Sequence, residues 1–125
     1  MLTVSNEYGI YLYSAKVDMR KGIDGLCGIV RDQMRVNPFR SKSIFVFSGR
    51  NHRSKKVLVR EYNRFELISI RLDEGRFISP ETDPQRACGK ISWTDFTLLT
   101  EASVKGEIKV KYIDAEDSPA ALLNR

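Results

Sequence analysis

Ser43-Ile44-Phe45-Val46-Phe47-Ser48-Gly49-Arg50-Asn51-His52-Arg53-Ser54-Lys55-Lys56-Val57-Leu58-Val59-Arg60 is the stretch whose reading decides the fold. Two short runs rich in β-branched and aromatic residues flank a Gly-, Asn- and Ser-containing link. That pattern predicts a β-hairpin with strands at about 43–48 and 56–61. Phe45 and Phe47 share one strand face by the two-residue period, which assigns them to the core. The same stretch holds the positive charge. From Gln33 to Arg60 there is no Asp or Glu. Arg35, Arg40, Lys42, Arg50, Arg53, Lys55, Lys56 and Arg60 nevertheless supply eight positive charges, against +5 for the whole chain. The remainder is therefore net acidic, and the basicity is placed rather than diffuse.

Downstream, further strands are expected at about 65–72 and 76–79, with Glu61–Arg64 and Asp73-Glu74-Gly75 as turns. Short links between close-spaced strands favour an antiparallel meander. Upstream, Tyr8–Tyr13 reads as a strand. Asp18 is a candidate N-cap for a helix over 19–35 with an apolar stripe of Met19, Ile23, Leu26, Cys27, Val30 and Met34. Gly22, Gly25 and Gly28 cost that helix about 1 kcal/mol each relative to Ala, which suggests a bare strip approached by another backbone. Asn37-Pro38 stops the helix. Residues 80–90 read as an exposed loop and Ser92 as the cap of a second helix to about 102. A last strand is expected over 107–113, and 114–125 reads as a tail. The expected fold is α+β: an antiparallel β-meander sheet, one long helix packed on a face, and a second shorter helix near the C-terminus. Residues 1–113 are expected to form one domain.

No apolar run approaches the roughly 18–20 residues of a membrane helix, and the N-terminus lacks signal-peptide features. A cytoplasmic protein with reduced thiols is the expectation. Cys27 lies on the apolar stripe and reads as a small buried hydrophobe, Cys88 as an exposed thiol in a polar loop. Trp93 reads as core or partner-facing. Asp18, Asp24, Asp32, Glu61, Glu66, Asp73 and Glu74 show no spacing that converges on a metal. His52, the lone histidine, has no sequence-local partner to orient it as a base. No catalytic residue, metal or cofactor is expected.

Arg50, His52, Arg53, Lys55 and Lys56 fall within seven residues, beside Asn51 and Ser54. Arginine forks and lysine point charges at a hairpin tip suit a phosphate backbone. Arg60 at the strand end, and Arg20 and Lys21 near the helix start, complete the candidate DNA-binding set. The alternative is docking of this basic face on an acidic protein partner.

At these residues the chain resembles a known family. Val17-Asp18-Met19-Arg20-Lys21-Gly22-Ile23-Asp24-Gly25-Leu26 is similar to its opening signature. Asn37-Pro38-Phe39, Phe45-Val46-Phe47, Arg71-Leu72-Asp73-Glu74-Gly75-Arg76-Phe77, Pro80 and Ile91-Ser92-Trp93 follow in order. The family is that of the TnpB-type accessory proteins encoded by the second reading frame of IS66-group insertion sequences. Where relatives often carry a Trp-Asp pair and a glycine-rich turn, this chain has Arg60-Glu61 and Tyr62-Asn63-Arg64. The resemblance implies a non-enzymatic bacterial factor assisting transposition. Its implied partners are the DNA of the element ends, contacted through the backbone, and the transposase or another accessory protein.

Overall fold

β2 (Ser43–Ser48) and β3 (Ser54–Arg60) form the hairpin, antiparallel from Ser43 opposite Arg60 to Ser48 opposite Lys55. The computed structural model describes residues 7–80, 82–83 and 85–101, together with the backbone of Lys111 and Tyr112. β4 (Phe65–Arg71) continues the meander, from Ser54 opposite Arg71 to Arg60 opposite Phe65. β1 (Gly9–Lys16) lies on the other side of β2 and runs parallel to it. A parallel neighbour cannot be reached by a tight turn. The chain therefore crosses over through α1 (Ile23–Ile29), which continues into a π-helical turn over Val30–Met34. β5 (Cys88–Lys90) pairs antiparallel with β1, and β6 (Lys111–Tyr112) with β5. Among the described residues the sheet order is β4-β3-β2-β1-β5-β6. The architecture is α+β, with the meander confined to β2–β4 and one parallel pair beside it.

Strand alternation divides the core in two. Leu12, Ile44, Val46, Val57 and Val59 face α2 (Trp93–Thr100), which contributes Phe96 and Leu99. Tyr11, Phe45, Phe47 and Leu58 face the other way, onto Leu26, Val30 and Met34 of the crossover. The two helices therefore cover opposite faces. β2 is buried on both, which is why its sequence is a continuous apolar run rather than an alternating one.

Several local expectations change. The stripe Met19, Ile23, Leu26, Cys27, Val30, Met34 does pack on the sheet, but the helix starts later than its pattern suggests. Asp18 caps a turn: its Oδ1 accepts from the Arg20 backbone N–H at 2.9 Å, and its carbonyl from that of Lys21 at 3.1 Å. Gly22 takes the N-cap place with no side-chain hydrogen bond, and Arg35, at φ 60°, ends the helix before Asn37-Pro38. No backbone approaches the glycines: a Cβ at Gly22 or Gly28 would meet nothing within 4 Å, and at Gly25 only the Lys21 side chain. The strand expected at 76–79 is reduced to a single bridge residue, Phe77, whose N–H donates to the His52 carbonyl at 2.7 Å. Only turn residues remain there to pair with, because β3 begins at Ser54. Part of the expected 80–90 loop is strand β5, which buries Cys88. In α2, the Ser92 Oγ accepts from the Asp95 N–H at 3.0 Å, the cap the sequence suggests. Of the expected 107–113 strand, only Lys111 and Tyr112 are described, and the 114–125 tail lies outside the described residues.

Candidate nucleic-acid interface

The tip of the β2–β3 hairpin is built by short backbone bonds. The Gly49 N–H donates to the Ser54 carbonyl at 2.9 Å, and the Arg53 N–H to the Asn51 Oδ1 at 3.0 Å. Two other segments join it at this end of the sheet. The turn after β1 is tied by the Val17 N–H to the Ser48 carbonyl at 2.9 Å and by the Lys56 Nζ donating to the Lys21 carbonyl at 2.7 Å. The chain after β4 is tied by the Leu72 N–H to the Arg53 carbonyl at 2.9 Å and the Arg53 guanidinium to the Asp73 carbonyl at 3.3 Å. Gly49 is where these pieces touch. A Cβ there would lie 2.8 Å from Met19 Cγ, so any larger residue forces Met19 to shift.

Arg50, Arg53, Lys56, Arg20 and Lys21 are thus gathered at one end, although they come from two separate stretches. Arg20 is engaged by Asp18 in a forked pair with a 3.0 Å bond from Nε to Oδ1. That pairing holds the Asp18 carboxyl well below the usual carboxylate range. Lys16, Arg71 and Arg76 are exposed at the same end. Local charge counting missed all three. The antiparallel register, which sets Arg71 opposite Ser54, was the signal that could have found Arg71.

Lys55, His52 and Arg60 are set apart from that group. Lys55 alternates with Lys56 along β3 and turns to the opposite face, where it is 2% exposed. Its Nζ donates to Ser48 Oγ at 2.8 Å and sits 5.2 Å from the Phe77 ring centre. Burial, then the charge of Lys16, lowers its pKa to about 8. The His52 Nδ1 shares a 3.0 Å hydrogen bond with Ser79 Oγ. Its pKa is lowered by the charge of Arg76 first, then by desolvation and the charges of Lys16 and Lys55. Arg60 is at the far end of β3, its guanidinium 4.6 Å from the Phe65 ring and 5.4 Å from that of Phe39. Phe39 and Tyr62 are exposed at that end. The hairpin's cations therefore occupy three environments rather than one surface.

Among the described residues, no helix is long and apolar enough to cross a membrane, and no three His, Cys, Asp or Glu side chains group as metal ligands. Burial pushes the Cys88 thiol up to about 12, with a smaller opposing effect from Lys90, and also raises that of Cys27. These are protonated thiols rather than nucleophiles.

No solved structure matches this chain. An uncharacterized protein, y4hO, from Sinorhizobium fredii (strain NBRC 101917 / NGR234) is 30% identical over 83 residues, covering 66% of this chain and 71% of that protein. The family model for IS66 Orf2-like proteins matches residues 8–108, a span that includes the crossover, the hairpin and α2. With the match covering most of its length, the chain belongs to the IS66 Orf2-like family.

Proposed function

We propose that this protein is a non-enzymatic accessory factor in transposition of an insertion sequence, and that it holds the DNA backbone at the basic end of its sheet. The observation that carries the DNA contact is the convergence of Arg50, Arg53 and Lys56 with Lys16, Lys21, Arg71 and Arg76. Arg50, Arg53, Lys16, Lys21, Arg71 and Arg76 are exposed there, while Lys56 and Arg53 each give one donor to a backbone carbonyl, so the group suits contacts to a phosphate backbone rather than base edges. Asp18 is neutralised by Arg20, while Asp73 and Glu74, exposed between Arg71 and Arg76, offset part of this charge.

The test is a titration of element-end and random duplexes at two salt concentrations. Four or so phosphate contacts give a log–log salt slope of about −3 to −4, with similar affinity for both duplexes. The variant Arg50→Ala/Arg53→Ala/Lys56→Ala retains the fold and loses most of this affinity. Equal binding by parent and variant at low salt sinks the proposal. The rival reading is a docking module for the transposase. It draws on the far end, where Phe39 is 61% and Tyr62 85% exposed beside Arg60. It requires copurification with the transposase that survives nuclease treatment.

A further inference from the structure

Behind the hairpin tip, on the α2 face, is a cavity of about 230 Å³ between the ends of β1 and β2, residues 77–80 and Thr82. Its lining includes Ser14, Lys16, Ser48, His52, Lys55 and Phe77. Two of the lining groups, Lys55 and Ser14, have donors to spare. Lys55 has three N–H donors and gives one to Ser48 Oγ; Phe77 presents a ring face, not a lone pair. The Ser14 Oγ is buried there without any hydrogen-bond partner. Among the described residues no carboxylate lines the cavity. A buried ammonium held against a hydroxyl, with a second lysine and an imidazole beside it, is an unbalanced positive site.

We propose that this cavity is a binding site for a phosphate oxyanion, held by Lys55, Lys16 and His52 with Ser14 as a hydroxyl donor. The chemistry fits the vacant donors. A tetrahedral oxyanion accepts several N–H and O–H groups at once, and charge-assisted bonds in a desolvated pocket are the strong kind. The field already present there supports it, since the charges of Arg76, Lys16 and Lys55 lower the His52 pKa. An entering anion relieves that repulsion and draws a proton onto the imidazole. The site opens on the face of β3 opposite Lys56 and shares Lys16 with the proposed DNA-contacting end.

The chain has one histidine, so its imidazole resonances report on this cavity without assignment. The experiment titrates tag-free protein with inorganic phosphate, ionic strength being held with sodium chloride, and follows the His52 pKa by NMR. The expected result is a saturable rise of about 1, the effect of an opposite charge within a few ångströms. Lys55→Met raises the phosphate concentration for half-effect at least tenfold, and Ser14→Ala raises it severalfold. Ser14→Ala serves alone if Lys55→Met does not fold. No saturable rise in the parent, or the same titration in both variants, overturns the proposal. Glu81 lies between Pro80 and Thr82 in sequence and supplies the control. If Glu81→Gln alone lets phosphate bind where the parent does not, the protein's own carboxylate fills the role and the proposal fails. Displacement of phosphate by duplex DNA identifies the source as a nucleic-acid phosphate. Retention of phosphate beside bound duplex identifies it as a free phosphate, and both results uphold the site.

Discussion

Lys55 shows how one side chain can work against the stability of its fold. Its ammonium is buried with a hydroxyl and an aromatic ring for company, and its pKa falls from 10.5 to about 8. Below pH 8 the lysine is charged in both folded and unfolded chains, and the desolvation penalty is present in full. Between pH 8 and 10.5 the folded chain gives up the proton first, so stability gained from this group rises with pH. The shift corresponds to roughly 3 kcal/mol at neutral pH. Lys55→Met removes it but leaves Ser48 Oγ unpaired, so the net gain is about 1–2 kcal/mol. Chemical denaturation at pH 7 and pH 9.5 checks this: the advantage of the variant over the parent shrinks at the higher pH. Comparing the two proteins cancels Cys88, which titrates with opposite sign. Its folded pKa is raised from 9.0 to about 12, so its contribution is present below pH 9 and lost above it. The same thiol gives a second prediction. Cys88 resists alkylation at pH 8 in the folded protein and reacts at the rate of a free thiol once denaturant unfolds it. Rapid labelling of folded Cys88, read by peptide mass, contradicts its burial on β5.

At the scale of elements, Gly49 is the joint that lets the hairpin tip meet the turn after β1. A methyl group there collides with Met19 Cγ at 2.8 Å and crowds Ser54 Cβ at 3.3 Å. Gly49→Ala is therefore expected to cost about 1–3 kcal/mol, as overpacking does. The clash is with one side chain, so a double-mutant cycle measures it: Gly49→Ala is better tolerated on a Met19→Ala background than on the parent. Additive losses would show that backbone conformation, not Met19, sets the cost. The hairpin itself was legible because its information is local: two apolar runs, a polar link and a two-residue period. β5 was not. Cys88-Gly89-Lys90 has no strand signature of its own; it is a strand because β1 offers it an open edge at Tyr13, Leu12 and Tyr11 in turn. The helix start was misread for a related reason. Asp18 is a good N-cap residue, but it is equally good at closing a turn on itself, and only the four-residue lag from Met19 to Ile23 separates the two.

For the molecule as a whole, the crossover decides where charge collects. Because β1 and β2 are parallel, both end at the same edge, and the antiparallel partners β3 and β4 bring Ser54 and Arg71 there too. Part of this was readable from the acid-free run, which holds Arg50, Arg53 and Lys56 on one hairpin. The separation of Lys55 from Lys56 also follows from strand alternation alone. The arrival of Lys16, Arg71 and Arg76 needed the register and could not be read locally. This geometry makes a prediction that distinguishes a located interface from general attraction between a +5 protein and a polyanion. Arg40 and Arg64 are exposed at the opposite end, where Lys42 and Glu61 close the strands. Arg50→Ala/Arg53→Ala and Arg40→Ala/Arg64→Ala remove the same charge from opposite ends. Global attraction lowers duplex affinity equally in both. Contact at the tip end lowers the salt slope by about 2 for the first pair and leaves the second close to the parent, since each lost phosphate contact removes about 0.9 from the slope. Fluorescence anisotropy with a labelled duplex across a salt series measures both slopes. A larger loss in the second pair would move the interface to the Phe39–Tyr62 end, where Arg60 lies over the Phe65 ring.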